Sequence, residues 1–114
     1  MLNNQNSVIP TMRIKNKTSF IDDLYVVYDY FYNDMFLLID NVEEIFERYE
    51  LPTAVIRILA YMYRSRIDRL QKECDSEKIR LSGYDYKTAW TEMIAVGLGY
   101  EEGDNYHIYK TALS

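Results

Sequence analysis

The chain carries one histidine, His107, and one cysteine, Cys74. These are the side-chain types that most often serve proton transfer and thiolate attack. Neither has the company that catalysis requires. His107 stands among tyrosines in NYHIY, which points to a surface or tyrosine-packed ring. Cys74 falls on a row of apolar residues, the setting of a small buried hydrophobe rather than of a nucleophile. One cysteine and one histidine cannot make a Cys/His zinc set. Acidic pairs occur at Asp22-Asp23, Glu43-Glu44 and Glu101-Glu102. Adjacent residues on a helix point about 100° apart, so such pairs do not converge on a cation. The GLGYEEG stretch follows a predicted helix, whereas phosphate-binding glycine loops join a strand to a helix. The sequence therefore predicts no catalytic residue, no cofactor and no metal site. An enzyme with an unrecognised site ranks third among the functional classes considered.

Binding surface is what the sequence does offer. Twelve of 114 residues are tyrosine, a side chain with a large apolar body and a polar tip that suits surfaces wet in one state and covered in another. Net charge is −5 and unevenly spread. Residues 20–50 hold nine acids (Asp22, Asp23, Asp29, Asp34, Asp40, Glu43, Glu44, Glu47, Glu50) against Arg48. Residues 51–80 hold seven bases against four acids. Placed on neighbouring helices, these segments attract and fix their own pairing. A lone cysteine rules out an internal disulfide and fits a reducing compartment. With no visible secretory signal or membrane span, the expected location is the cytoplasm, the host's if the source is viral. The wealth of Asn, Lys, Ile and Tyr suits an AT-rich genome such as that of a phage or mobile element.

The elements that would position these residues follow from spacing. Residues 1–18 mix Asn, Ser, Lys and Pro10 and are expected to form a mobile basic arm with Arg13, Lys15 and Lys17, ahead of a single helical domain over residues 19–114. Ser19 and Asp22 resemble a capping box. The run LYVVYDYFYNDMFLLID reads either as a β-hairpin turning at Asn33-Asp34 or as the middle of one helix. Leu24, Tyr28, Phe31, Met35, Leu38, Val42, Ile45 and Tyr49 recur alternately four and three apart, which favours a continuous helix from Phe20 to Tyr49. Pro52 opens a second helix carrying Ile56, Leu59, Tyr63, Ile67, Leu70 and Cys74 and ending between Asp75 and Leu81. A third helix over about 85–96 presents Trp90 and Met93 and stops at Gly97 and Gly99. Residues 100–109 suit a short β-hairpin across Gly103-Asp104, with coil as the alternative. The expected fold is all-α: a long antiparallel helical hairpin, a third shorter helix and that small hairpin.

A second apolar row on the first helix, Ile21, Tyr25, Tyr32, Phe36, Ile39 and Phe46, is either covered by the third helix or forms a homodimer interface. Val26, Tyr30 and Leu37 lie toward the acidic side and, with Asp22, Asp29, Asp40, Glu43, Glu44 and Glu47, are the candidate contacts to a partner protein. Such an acidic face would compete with nucleic acid for a basic groove on another protein. The expected function is a small non-enzymatic regulator or inhibitor acting through protein–protein contact. The alternative is a DNA-binding regulator, because helix, helix and hairpin over 52–109 share the outline of winged-helix proteins. Its would-be recognition helix offers only Lys87, Thr88 and Thr91 beside Glu92.

Overall fold

The computed structural model describes residues 11–49, 51–103 and 105–109. Strand β1 (Thr11–Ile14) is followed by α1 (Lys17–Tyr32), a short 3₁₀ turn (Phe36–Leu38), α2 (Ile39–Arg48), α3 (Thr53–Glu77), α4 (Gly83–Met93), β2 (Gly99–Glu102) and β3 (Asn105–Tyr109). The molecule is mostly helical, in line with the coarse all-α expectation, and adds a small three-stranded antiparallel sheet of order β1-β3-β2.

Residues 11–18 are not an arm. Met12 and Ile14 of β1 turn inward while Arg13 faces out, and β1 pairs with β3 from Thr11↔Tyr109 to Ile14↔Tyr106. Four alternating residues are too few to announce a strand against a polar background. Residues 1–10 of the expected arm lie outside the described residues. Helix α1 starts earlier than the Ser19 signal suggests because Asn16 caps it, its side-chain oxygen accepting from the Ser19 amide at 3.0 Å.

The continuous helix from Phe20 to Tyr49 is also corrected, and so is the strand hairpin. Helix α1 ends at Tyr32, where the amides of Asn33 and Met35 both donate to the Asp29 carbonyl at 3.1 Å. The Asn33 amide group donates to the Asp29 carboxylate at 2.7 Å, and Asp34 takes φ 53°. Short polar side chains tolerate this left-handed geometry and satisfy the freed backbone locally. The break lets α2 fold back along α1, burying Val42 and Ile45. Phe46 comes 6.1 Å from Phe31, and Tyr49 packs edge-on against Phe20 at 5.0 Å. A straight rod would have left those groups in water, since each buried aliphatic side chain is worth about 1.5–3 kcal/mol.

Pro52 precedes α3, its carbonyl accepting from Val55 and Ile56 at 3.0 and 3.2 Å. α3 runs antiparallel to α1: Arg57 lies over the Phe31 ring at 4.2 Å, and Tyr63 meets Tyr25 at 5.8 Å. α4 begins two residues before the expected Asp85 because Ser82 and Asp85 form a reciprocal capping box. It runs into a wider turn over 94–98 in which Gly97 adopts φ 87°. The terminal strands then pair with Tyr100↔His107 and Glu101↔Tyr106. Trp90 is fully buried where the layers meet, with Phe20, Tyr63 and Tyr106 at 6.0, 6.4 and 5.5 Å and its Nε1 donating to Glu101 at 3.1 Å. Among the described residues no helix is long and apolar enough to cross a membrane.

Candidate functional site

The bend between α1 and α2 presents three consecutive apolar side chains to solvent. Met35 is 48% exposed, Phe36 65% and Leu37 96%. Around them, Tyr30 contacts Phe36 edge-on at 6.1 Å, and Tyr32 touches the exposed Tyr61 of α3 at 5.5 Å. Ile39 at the start of α2 is exposed as well. The result is an apolar cap at one end of the helical hairpin. Single exposed hydrophobics are ordinary on protein surfaces, whereas this run shares one tip with neighbouring aromatic rings and forms a contiguous apolar patch. Next to it, the outer face of α2 exposes Asp40, Glu43, Glu44 and Glu47. Arg48 at the far end of α2 neutralises part of that face, bonding Glu44 at 3.0 Å and Asp23 at 2.7 Å.

The expected partner contacts fall into two groups. Leu37, Asp22, Asp40, Glu43, Glu44 and Glu47 are exposed, and Tyr30 borders the cap. Val26 is half-buried against the core. Asp29 holds the Asn33 side chain and lies 3.7 Å from Arg64, so it serves the bend. The expected dimer row divides likewise: Ile21, Tyr25 and Phe46 pack against the core, while Tyr32, Phe36 and Ile39 remain exposed. Sequence spacing placed Met35 in the seam and overlooked Tyr61. The available signal was Asn-Asp, tolerant of left-handed backbone, followed directly by the apolar run MFLLI.

Two grooves lie elsewhere. A cleft of about 620 Å³ is lined by Arg13, Lys15, Ser19, Arg48 and Tyr49, among others. The exposed side of α4 forms a shallower one of about 300 Å³ with Tyr84, Lys87, Thr88, Thr91 and Glu92. Glu92 is engaged by Arg69 at 2.8 Å and lies 3.8 Å from Arg66. Lys17 is drawn inward over the Tyr106 and Trp90 rings at 5.2 and 6.0 Å.

His107, Cys74, Tyr49 and Tyr63 are engaged in packing. His107 stacks on Tyr100 at 4.7 Å, its Nε2 3.9 Å from Glu102, beyond hydrogen-bond reach. Cys74 is buried, and desolvation followed by the charges of Asp85, Glu77, Asp75 and Glu73 raises its thiol pKa. Burial, reinforced by the hydrogen bond to Asp23, raises the Tyr49 hydroxyl, which donates to that carboxylate and ties down the end of α2. Burial and then the neighbouring Tyr25 raise Tyr63. Among the described residues, no three His, Cys, Asp or Glu side chains gather as they would around a metal ion. Comparison with protein-family models, with curated proteins and with solved structures returns no match to this chain.

Proposed function

We propose that this protein is a small non-enzymatic interaction module, a regulator or inhibitor that docks on another protein through the cap at the α1–α2 bend. The observation that carries the reading is Leu37, almost wholly exposed beside Phe36 and flanked by the carboxylates of α2. An apolar knob with an acidic flank fits a hydrophobic depression rimmed by Lys or Arg. Desolvating the knob supplies affinity, and the charges set orientation and association rate.

Two baits test this in extract of the source cells: Phe36→Ser/Leu37→Ser, and Glu43→Lys/Glu47→Lys. The expectation is that the wild type retains a defined protein, the first bait loses it, and the second holds it more weakly with a reduced salt dependence. Since the substituted side chains are exposed, helical circular dichroism should be unchanged. Equal retention by all three baits overturns the reading.

What supports the alternative, duplex DNA binding, is the run α3, α4 and β-hairpin with β1 completing the sheet. Against it stand Glu101 and Glu102, which line the hairpin's first strand and repel phosphate, and the single basic residue, Lys87, in the α4 groove. Retention of nucleic acid rather than protein by the wild-type bait, lost on raising salt, would favour it.

A further inference from the structure

The hinge between α1 and α2 joins three features that a simple loop does not need. The four-three spacing of Leu24, Tyr28, Phe31, Met35, Leu38, Val42, Ile45 and Tyr49 passes through it unbroken, and no Gly or Pro occurs between Lys17 and Leu51. Helix α1 nevertheless stops in mid-pattern, with Asp34 in the left-handed region. Burial of the seam lapses at the same place. Leu24, Val42 and Ile45 are buried on either side, yet Met35 is exposed along with its neighbours Phe36 and Leu37. A sequence written for a continuous helix is thus folded as two.

The contacts that hold α2 are also transferable. Phe46 near Phe31, Tyr49 against Phe20, and the Arg48 and Tyr49 bonds to Asp23 all join α2 to α1. A second copy of the chain offers the same residues in the same arrangement, so exchanging α2 together with α3, which follows it after four residues and packs on α1, keeps every one of them.

We infer that two copies exchange everything beyond the hinge: residues 33–38 straighten, α1 and α2 become one helix of about 48 Å by helical rise, and α2, α3, α4 and the terminal hairpin of each copy pack on β1 and α1 of the other. Straightening relieves the left-handed Asp34 and restores intrahelical hydrogen bonds across the hinge. It also brings the two hinges together near the two-fold axis, where Met35, Phe36 and Leu37 of both copies cover one another. These gains offset the entropy of association, so the exchanged form rises with concentration. The same residues cannot form the solvent-exposed cap and the dimer centre at once, so exchange would switch docking off. The inference rests on the hinge, however, and holds whether or not an outside partner docks there.

Complementary charge reversal provides the test, read by light scattering and thermal unfolding. Asp23→Arg sets two arginines against each other at the α1–α2 contact, and Arg48→Asp sets two aspartates. In an exchanged heterodimer of the two variants, each α2 meets the opposite charge. The expected result is that an equimolar mixture, refolded together, forms a species of two chains that melts higher than either variant alone. A mixture that behaves as the sum of its parts overturns the inference, because neither a monomer nor a side-by-side dimer can restore these pairs. A second pair of variants works on the hinge without touching the contact. Asn33→Ala/Asp34→Ala should raise the dimerisation constant about tenfold or more, and Asp34→Gly should lower it. Monomeric mass for the alanine variant at the highest attainable concentration also overturns the inference. Since no outside protein enters either measurement, failure of the docking reading leaves both intact.

Discussion

Replacing Gly99 with alanine would place a methyl carbon 2.0 Å from the carbonyl oxygen of His107, 3.0 Å from its carbonyl carbon and 3.1 Å from the Ile108 Cα. Close carbon–oxygen contacts between strands are normally about 3.3–3.6 Å. Strand β2 would therefore have to withdraw from β3 by more than 1 Å, roughly the shortfall against that spacing. All three obstructing atoms belong to backbone, so no rotamer change relieves the clash. β2 has only four residues, and its separation loses about two ladder hydrogen bonds at about 1 kcal/mol each. Glu101 lies on the same strand, so its bond from Trp90 weakens too, at a similar cost of about 1 kcal/mol. Alanine's smaller unfolded-state entropy returns about 0.4–1 kcal/mol, leaving a net loss of about 2–3 kcal/mol. With a urea slope of about 1–3 kcal/mol/M, the midpoint should fall by about 0.7–3 M. Fluorescence of Trp90, the single tryptophan, reports the transition. Gly83→Ala is the internal control: nothing lies within 4 Å of its added Cβ, and its backbone is helical, so stability should hold or rise by up to about 1 kcal/mol. Equal midpoints for the two alanine variants would refute the close-approach argument.

Two further outcomes follow from the backbone and the tyrosines. Lys78 ends α3 at φ 57°, a conformation that suits glycine, so Lys78→Gly should raise stability by about 0.5–1 kcal/mol in the same urea assay, and a lower midpoint would contradict the cap geometry. Tyr25, Tyr49 and Tyr63 all have pKa values raised, chiefly by burial. Each keeps its proton longer folded than unfolded, so their contribution is complete below the unfolded value of about 10 and is lost as pH climbs through the folded values. The urea midpoint should therefore be insensitive to these groups up to about pH 10 and fall above it, less steeply in Tyr63→Phe. Absorbance titration in which all twelve tyrosines ionise together near pH 10 with the helices intact would refute this.

Much of the helical framework was legible in the chain. Pro52 and the three-or-four spacing of Ile56, Leu59, Tyr63, Ile67 and Cys74 specify α3, because one apolar stripe on a 25-residue helix leaves little choice of period or start. The third helix was legible but spacing placed its start two residues late, although the Ser82 and Asp85 capping partners that set it are local. Gly103 between tyrosine-bearing segments allowed a terminal hairpin without excluding coil, and the pairing of β2 with β3, the glycine adopting φ 60°, decides for the hairpin. Within the candidate site, exposure of Leu37 and of the α2 carboxylates was also readable, being a matter of which residues have no apolar partner at helical spacing.

What the chain alone left undecided was where its long first helix would bend and which segment would complete the sheet. The seam from Leu24 to Tyr49 satisfies helical spacing whether straight or broken, so local pattern could not choose. Within one chain, the break at Asn33-Asp34 is set by Phe20, Phe31 and Asp23, which receive its own Tyr49, Phe46 and Arg48 only when α2 turns back. Strand β1 likewise exists because β3, about 95 residues further along the chain, offers it a backbone edge and a cover for Met12 and Ile14. Both outcomes depend on partners remote in sequence. Spacing records the faces of an element, and only the assembled fold determines what lies against them.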